Sequence, residues 1–171
     1  MSITKGCEVC VIIDRKRTAC FTGHRSIPEN DKAKLRIQLD RIIEALYNKG
    51  VVFFGCGGAY GFDTEAEYAV LRAKERHKEI KLILVLPCKG QDKYWNDESK
   101  AMYRDILSKA DKIVYTSEYY TNDCMHKRNR HLVDYSGYCI AYCTKQSGGT
   151  VYTMNYAKDS GVKVVNLADY L

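Results

Sequence analysis

Val51-Val52-Phe53-Phe54-Gly55-Cys56-Gly57-Gly58-Ala59-Tyr60-Gly61 is a continuous apolar run that ends in glycines, and an Ala- and Glu-rich stretch, Asp63 to His77, follows it. An apolar run without polar alternation reads as a strand buried on both faces, as in a parallel sheet. The glycines mark a turn, and the stretch after them has helical composition. Thr64 and Glu67 have the spacing of a capping box near its start. Strand, glycine turn and helix together are the first half of a crossover unit.

The same unit recurs in both directions. Upstream, Thr18 to Thr22 is a strand run, and Leu35, Leu39, Ile42, Ile43 and Leu46 follow a helical spacing that Gly50 stops. Downstream, Lys81 to Pro87, Lys112 to Thr116, Tyr138 to Cys143 and Val162 to Leu167 are further strand runs. Between them Glu98 to Ala110, Asp123 to Ser136 and Thr150 to Ser160 read as helices. This order predicts a Rossmann-like α/β three-layer sandwich with a mostly parallel sheet and right-handed crossovers. Glu8 to Ile13, joined through Asp14-Arg15-Lys16-Arg17, is expected to add a hairpin at the sheet edge.

The 171 residues form one domain, with 46% hydrophobic and 28% charged side chains, a globular balance. No apolar run is long enough for a membrane helix, and the charged N-terminal residues do not read as a signal peptide. A cytoplasmic protein is expected. Its eight cysteines then read as reduced thiols, with Cys20, Cys56 and Cys139 inside apolar runs. Cys7-x-x-Cys10 lacks a second pair at zinc spacing, so no metal is expected, and no cofactor is implied. A net charge of +6 is a mild bias toward anionic partners.

In open α/β sheets ligands sit at the carboxyl ends of the strands. Three glycine-bearing turns fall there: Gly23-His24-Arg25, then Gly57-Gly58 with Gly61 and Asp63, then Gly148-Gly149-Thr150 opening a helix. Glycines let a backbone approach a ligand, and a helix N-terminus offers N–H groups to an anion. Neither the phosphate-loop lysine nor the ribose-binding acid of dehydrogenases accompanies them. Met125, Arg128, Asn129 and Leu132 share one helix face. A guanidinium on such a face needs an anionic partner, either a ligand or an internal carboxylate such as Asp63. His24 has two roles open, an anion contact or a cap on the sheet. Trp95 also has two, stacking on a base or closing an apolar lid. Asp63 reads as a helix cap or as the one pocket acid. Tyr115, Tyr119 and Tyr120 lie near the same edge, and an exposed edge strand with the chain's 14 tyrosines suits a homo-oligomer interface.

Taken together, Cys20-Phe-Thr-Gly23-His24-Arg25, Gly57-Gly58-Ala59-x-Gly61-x-Asp63, Pro87-Cys88 with Gln91 to Trp95, Cys124-Met125-x-x-Arg128-Asn129-Arg130 and Gly148-Gly149-Thr150 resemble the YpsA-like branch of the SLOG superfamily. The resemblance runs from about residue 18 to residue 167 and leaves residues 1–17 as an extension. It implies a Rossmann-like fold that binds a nucleotide or nucleotide-derived ligand. It also implies that Gly23, Arg25, Gly58, Asp63, Arg128, Asn129, Gly149 and Thr150 line the pocket. The related LOG phosphoribohydrolases use an arginine on the Met-x-x-Arg helix and a glutamate just after the Gly-Gly-Thr region. Here Arg128 matches, but Thr150 to Ala157 holds no carboxylate. Binding as a sensor, regulator or sequestering domain is therefore the expectation. N-glycosidic hydrolysis at Asp63 and single-stranded nucleic-acid binding, by analogy with DprA, are the alternatives.

Overall fold

A computed structural model describes residues 14–171. Six strands form one sheet: β1 (Thr18–Gly23), β2 (Phe53–Cys56), β3 (Lys81–Leu86), β4 (Lys112–Tyr115), β5 (Tyr138–Tyr142) and β6 (Lys163–Asn166). Their order is β4-β3-β2-β1-β5-β6, and every pair is parallel. Five helices connect them: α1 (Glu29–Tyr47), α2 (Phe62–Arg76), α3 (Asp97–Lys109), α4 (Cys124–Asp134) and α5 (Gly149–Asp159). The parallel α/β sandwich expected from the apolar runs is the fold observed.

The chain builds outward from β1 to β4, then returns through α4 to place β5 on the other side of β1. That reversal makes the β1/β5 boundary a topological switch point, where the two connecting loops part and leave a crevice. Two cores hold the layers together. Helices α1, α2 and α3 cover one face, burying Leu35, Leu39, Ile43, Val70, Ala73 and Ile106 against Phe21, Phe54, Leu82 and Leu84. Helices α4 and α5 cover the other, where Leu132, Val133 and Ala157 meet Cys20, Val85 and Cys139. A fully buried large apolar side chain such as Phe54 contributes about 1.5–3 kcal/mol, so the first core carries most of the stability.

Several local expectations change. Burial on both faces holds for the inner strands but not for β4, whose Ile113 and Tyr115 are exposed at the sheet edge. Strand composition does not reveal which strand ends up at an edge. The expected strand Glu8 to Ile13 lies outside the described residues. Residues 15–17 form a short 3-10 turn, and β1 has β2 on one side and β5 on the other, so it offers no edge to a hairpin. Cys20, Cys56, Cys88, Cys124, Cys139 and Cys143 are free, buried thiols. Among the described residues no helix is long and apolar enough to cross a membrane.

Candidate functional site

A cleft of about 670 Å³ opens at the switch point. It is lined by the loop after β1 (Gly23 to Ser26), by Ala59 and Asp63, by Met125, Arg128 and Asn129 of α4, and by Thr144, Lys145, Gly149 and Thr150 after β5. The three turns and the α4 face singled out in the sequence thus meet at one place.

Arg128 forms the inner wall. It is only 6% exposed, yet its guanidinium borders the cleft. Its Nε donates to Asn129 Oδ1 at 2.7 Å, and Nη1 donates to the Gly57 carbonyl. A guanidinium has five N–H donors, so donors on Nη1 and Nη2 stay available to a ligand. Asn129 is fixed in turn by donating to Thr153 Oγ1 at 3.0 Å. Asp63 sits across Gly57 from Arg128, since a Cβ on Gly57 would meet the guanidinium and would lie 2.8 Å from Asp63 Oδ2. Gly57 is therefore required by close approach, not by a turn.

Asp63 is not the cap of α2. That place belongs to Gly61, whose φ of +87° turns the chain into the helix. Asp63 lies in the first turn and accepts from the Ala59 N–H at 3.2 Å. Burial raises its pKa, and the nearby Arg128 charge opposes that rise. Glu67 does not form a capping box with Thr64. It turns inward, 1% exposed, and accepts from the Gly58 N–H at 3.0 Å. Burial first, and then the Asp63 charge, push its pKa well up. Thr64 instead donates to the Ala59 carbonyl. The glycine loop is thus held from within by two carboxyl groups and one guanidinium.

His24 ties the β1 loop to the β5 loop. Its Nε2 accepts from the Thr144 N–H at 2.9 Å, and Nδ1 lies 3.5 Å from Thr150 Oγ1. Burial, with help from Lys145, lowers its pKa, which keeps the imidazole neutral and able to accept. Lys145 and the start of α5 form the opposite wall. Gly148 precedes α5 with φ of +110° and no side-chain cap, so the first N–H groups of the helix have no capping side chain. Such N–H groups, with a lysine beside them, attract an anion. Arg25 is exposed on the rim, 5.1 Å above the Tyr60 ring.

Five of the residues singled out in the sequence do not line the cleft. Gly57 lies behind Arg128. Gly58 packs on Leu86, Gln91 and Tyr103, Gly61 packs on the Arg25 backbone, and Gly148 stands just before α5. Trp95 meets Tyr60 edge-on with ring centroids 5.2 Å apart and does not line the cleft. Sequence reasoning missed Glu67, Thr22, Thr144 and Lys145. A basic residue in the glycine-bearing β5–α5 loop was the available signal for Lys145; Glu67 gave none beyond its helical position.

Comparisons with known proteins bear on the family and the fold. A model described as the YspA SLOG family matches residues 20–166. The SPbeta prophage-derived protein YoqJ of Bacillus subtilis is 33% identical over 138 residues, covering 73% of this chain and 81% of that protein. A UPF0398 protein of Halalkalibacterium halodurans is 29% identical over 139 residues, covering 80% of this chain and 71% of that protein. Among solved structures, DNA processing protein A of Streptococcus pneumoniae superposes with a TM-score of 0.61 at 20% identity, and that of Helicobacter pylori with 0.63 at 17%. The match covers 86% of this chain but 48% of the pneumococcal chain, and 89% against 65% for the Helicobacter one. This chain therefore spans about half the length of the pneumococcal protein. At these identities the likeness to both concerns the fold.

Proposed function

The chain belongs to the YspA SLOG family, and we propose that its cleft binds a nucleotide or nucleotide-derived ligand. The single observation that carries the reading is the convergence at the switch point of the α5 N-terminus, Lys145, Arg128 and Asp63 around one cleft. The ligand's phosphate lies against Gly149, Thr150 and Lys145, where helix N–H groups and an ammonium both favour negative charge. Its sugar faces Asp63 and the remaining donors of Arg128. The chain acts as a binder, because Ser147 to Tyr156 supplies no carboxylate to stabilise a sugar cation. Calorimetry with a panel of nucleoside monophosphates, and mass spectrometry of anything released on denaturation, test this. Saturable micromolar binding with no free base formed is expected. No binding of any nucleotide would overturn the reading.

Two further readings each have an observation behind them. The raised pKa of Asp63 in the cleft suits a proton donor, which supports cleavage of an N-glycosidic bond. Free base that appears with the native chain and disappears in Asp63→Asn would establish it. The Helicobacter neighbour is described for its single-stranded DNA binding mode, which supports a polynucleotide in the same cleft. An oligonucleotide that binds far more tightly than any mononucleotide would favour that reading.

A further inference from the structure

Behind the rim of the cleft lies a column of rings. Tyr60 is met edge-on by Trp95 at 5.2 Å and 85°, and Trp95 meets Tyr103 at 5.2 Å and 62°. The Tyr103 hydroxyl accepts from Gln91 Nε2, which also donates to the Gly58 carbonyl at 3.1 Å. The column is thereby locked to the glycine loop. At its outer end the Arg25 guanidinium stands over Tyr60 and lines the cleft. Among the described residues Arg25 has no ion-pair partner.

Resting on the nucleotide reading above, we propose that Arg25, backed by Tyr60 and Trp95, is the subsite for the ligand's base. The two walls differ in the chemistry they offer. The β5 side has helix N–H groups and Lys145, which suit a phosphate. The β1 loop has the Arg25 guanidinium, lying over the Tyr60 ring of the β2 loop, which suits a planar ring, because bases stack on guanidinium groups as they do on aromatic side chains. Stacking needs no particular hydrogen-bonding edge, so the subsite accepts either purine and favours the larger ring systems over pyrimidines.

The test compares adenosine 5′-monophosphate with ribose 5-phosphate, which lacks the base. The wild-type chain is expected to bind the nucleotide at least about tenfold more tightly. Only the nucleotide should change the emission of Trp95, the single tryptophan of the chain. Arg25→Lys keeps the charge but loses the flat group, so the affinity ratio should fall toward one; Tyr60→Leu should lower it less. Thermal melting verifies that both variants remain folded. If Arg25→Lys weakens both ligands equally and keeps the ratio, Arg25 serves the phosphate and the proposal is overturned. Equal affinities in the wild-type chain overturn it as well, while leaving a phosphosugar site in place. If neither ligand binds, the nucleotide reading fails and takes this subsite with it.

Discussion

Arg128 and Arg25 line the same cleft under opposite conditions. Arg128 is buried, bonded to Asn129 and to the Gly57 carbonyl, and faces Asp63 across a glycine. Arg25 is exposed and rests on Tyr60. Burial pulls the Arg128 pKa down, and the Asp63 charge and its hydrogen bonds to Asn129 and the Gly57 carbonyl oppose that cost. The inner wall is thus part of the fold, and whatever it does for a ligand it does from a fixed position. The rim is attached to the fold at one face only and can be altered without disturbing the core. Variants at the two places separate stability from binding.

The largest effect is expected for Arg128→Met. It removes the cation that most opposes the burial of Asp63 and leaves the Gly57 carbonyl without its donor; an unsatisfied buried group costs about 1–3 kcal/mol, to which the lost attraction to Asp63 adds. Arg25→Ala should stay within about 0.5 kcal/mol of wild type, as exposed sites usually do. Urea denaturation of both variants measures the contrast. Arg128→Met with wild-type stability would mean that the inner wall is held by something other than this cation. The sequence left open whether Arg128 serves a ligand or an internal partner; in the structure it has internal partners and still borders the cleft.

Gly57→Ala attacks the same wall from the backbone. The added methyl would overlap the Arg128 guanidinium and lie 2.8 Å from Asp63 Oδ2. Arg128 cannot withdraw without abandoning Asn129, so the strain falls in the usual overpacking range of about 1–3 kcal/mol. A melting temperature unchanged by this substitution would show that the guanidinium moves freely.

How much of this was legible follows from the kind of signal each residue gives. The six strands and five helices were readable because apolar runs and helical periodicity are local. Arg128 was readable because a charge on an apolar helix face is anomalous. Glu67 was not, because a glutamate four residues after Asp63 in a helix ordinarily points to water. Only the turn at Gly61, by fixing where α2 begins, directs it under the glycine loop. Trp95 was read as following the third strand, but sequence cannot tell that it packs on Tyr60 and does not line the cleft. The exposure of β4 depends on strand order, which the crossovers decide.

Glu67→Gln tests the buried carboxyl. Glu67 holds its proton in the folded chain at pH values where the unfolded chain ionises. Its contribution to stability is therefore full below the ordinary glutamate pKa and is lost as pH rises through the raised folded value. Glutamine still accepts from the Gly58 N–H and has no proton to lose. The variant should match wild type near pH 4 and become the more stable of the two toward pH 8, by less than the Arg128 effect. Melting curves across that range measure it, and a wild-type-to-variant difference independent of pH would show that Glu67 is ionised in place.

Gly149→Ala should have the smallest effect on stability, and its sign should be opposite. Gly149 is the first residue of α5, its φ is not positive, and a Cβ there would meet nothing within 4 Å. Nothing inside the protein requires glycine at this position, in contrast to Gly57. Alanine reduces the freedom of the unfolded chain and favours helix, which raises stability by about 0.4–1 kcal/mol. If the α5 N-terminus holds a phosphate, the absent side chain matters to the ligand instead, since a methyl at the helix start stands between the N–H groups and the anion. The expected pattern is therefore a slightly higher melting temperature with weaker nucleotide binding. A variant that is more stable and binds unchanged would move the phosphate away from α5 and onto Lys145 and the rim. A destabilised variant would mean that the start of α5 carries a constraint of its own, and that the two glycines differ less than their surroundings indicate.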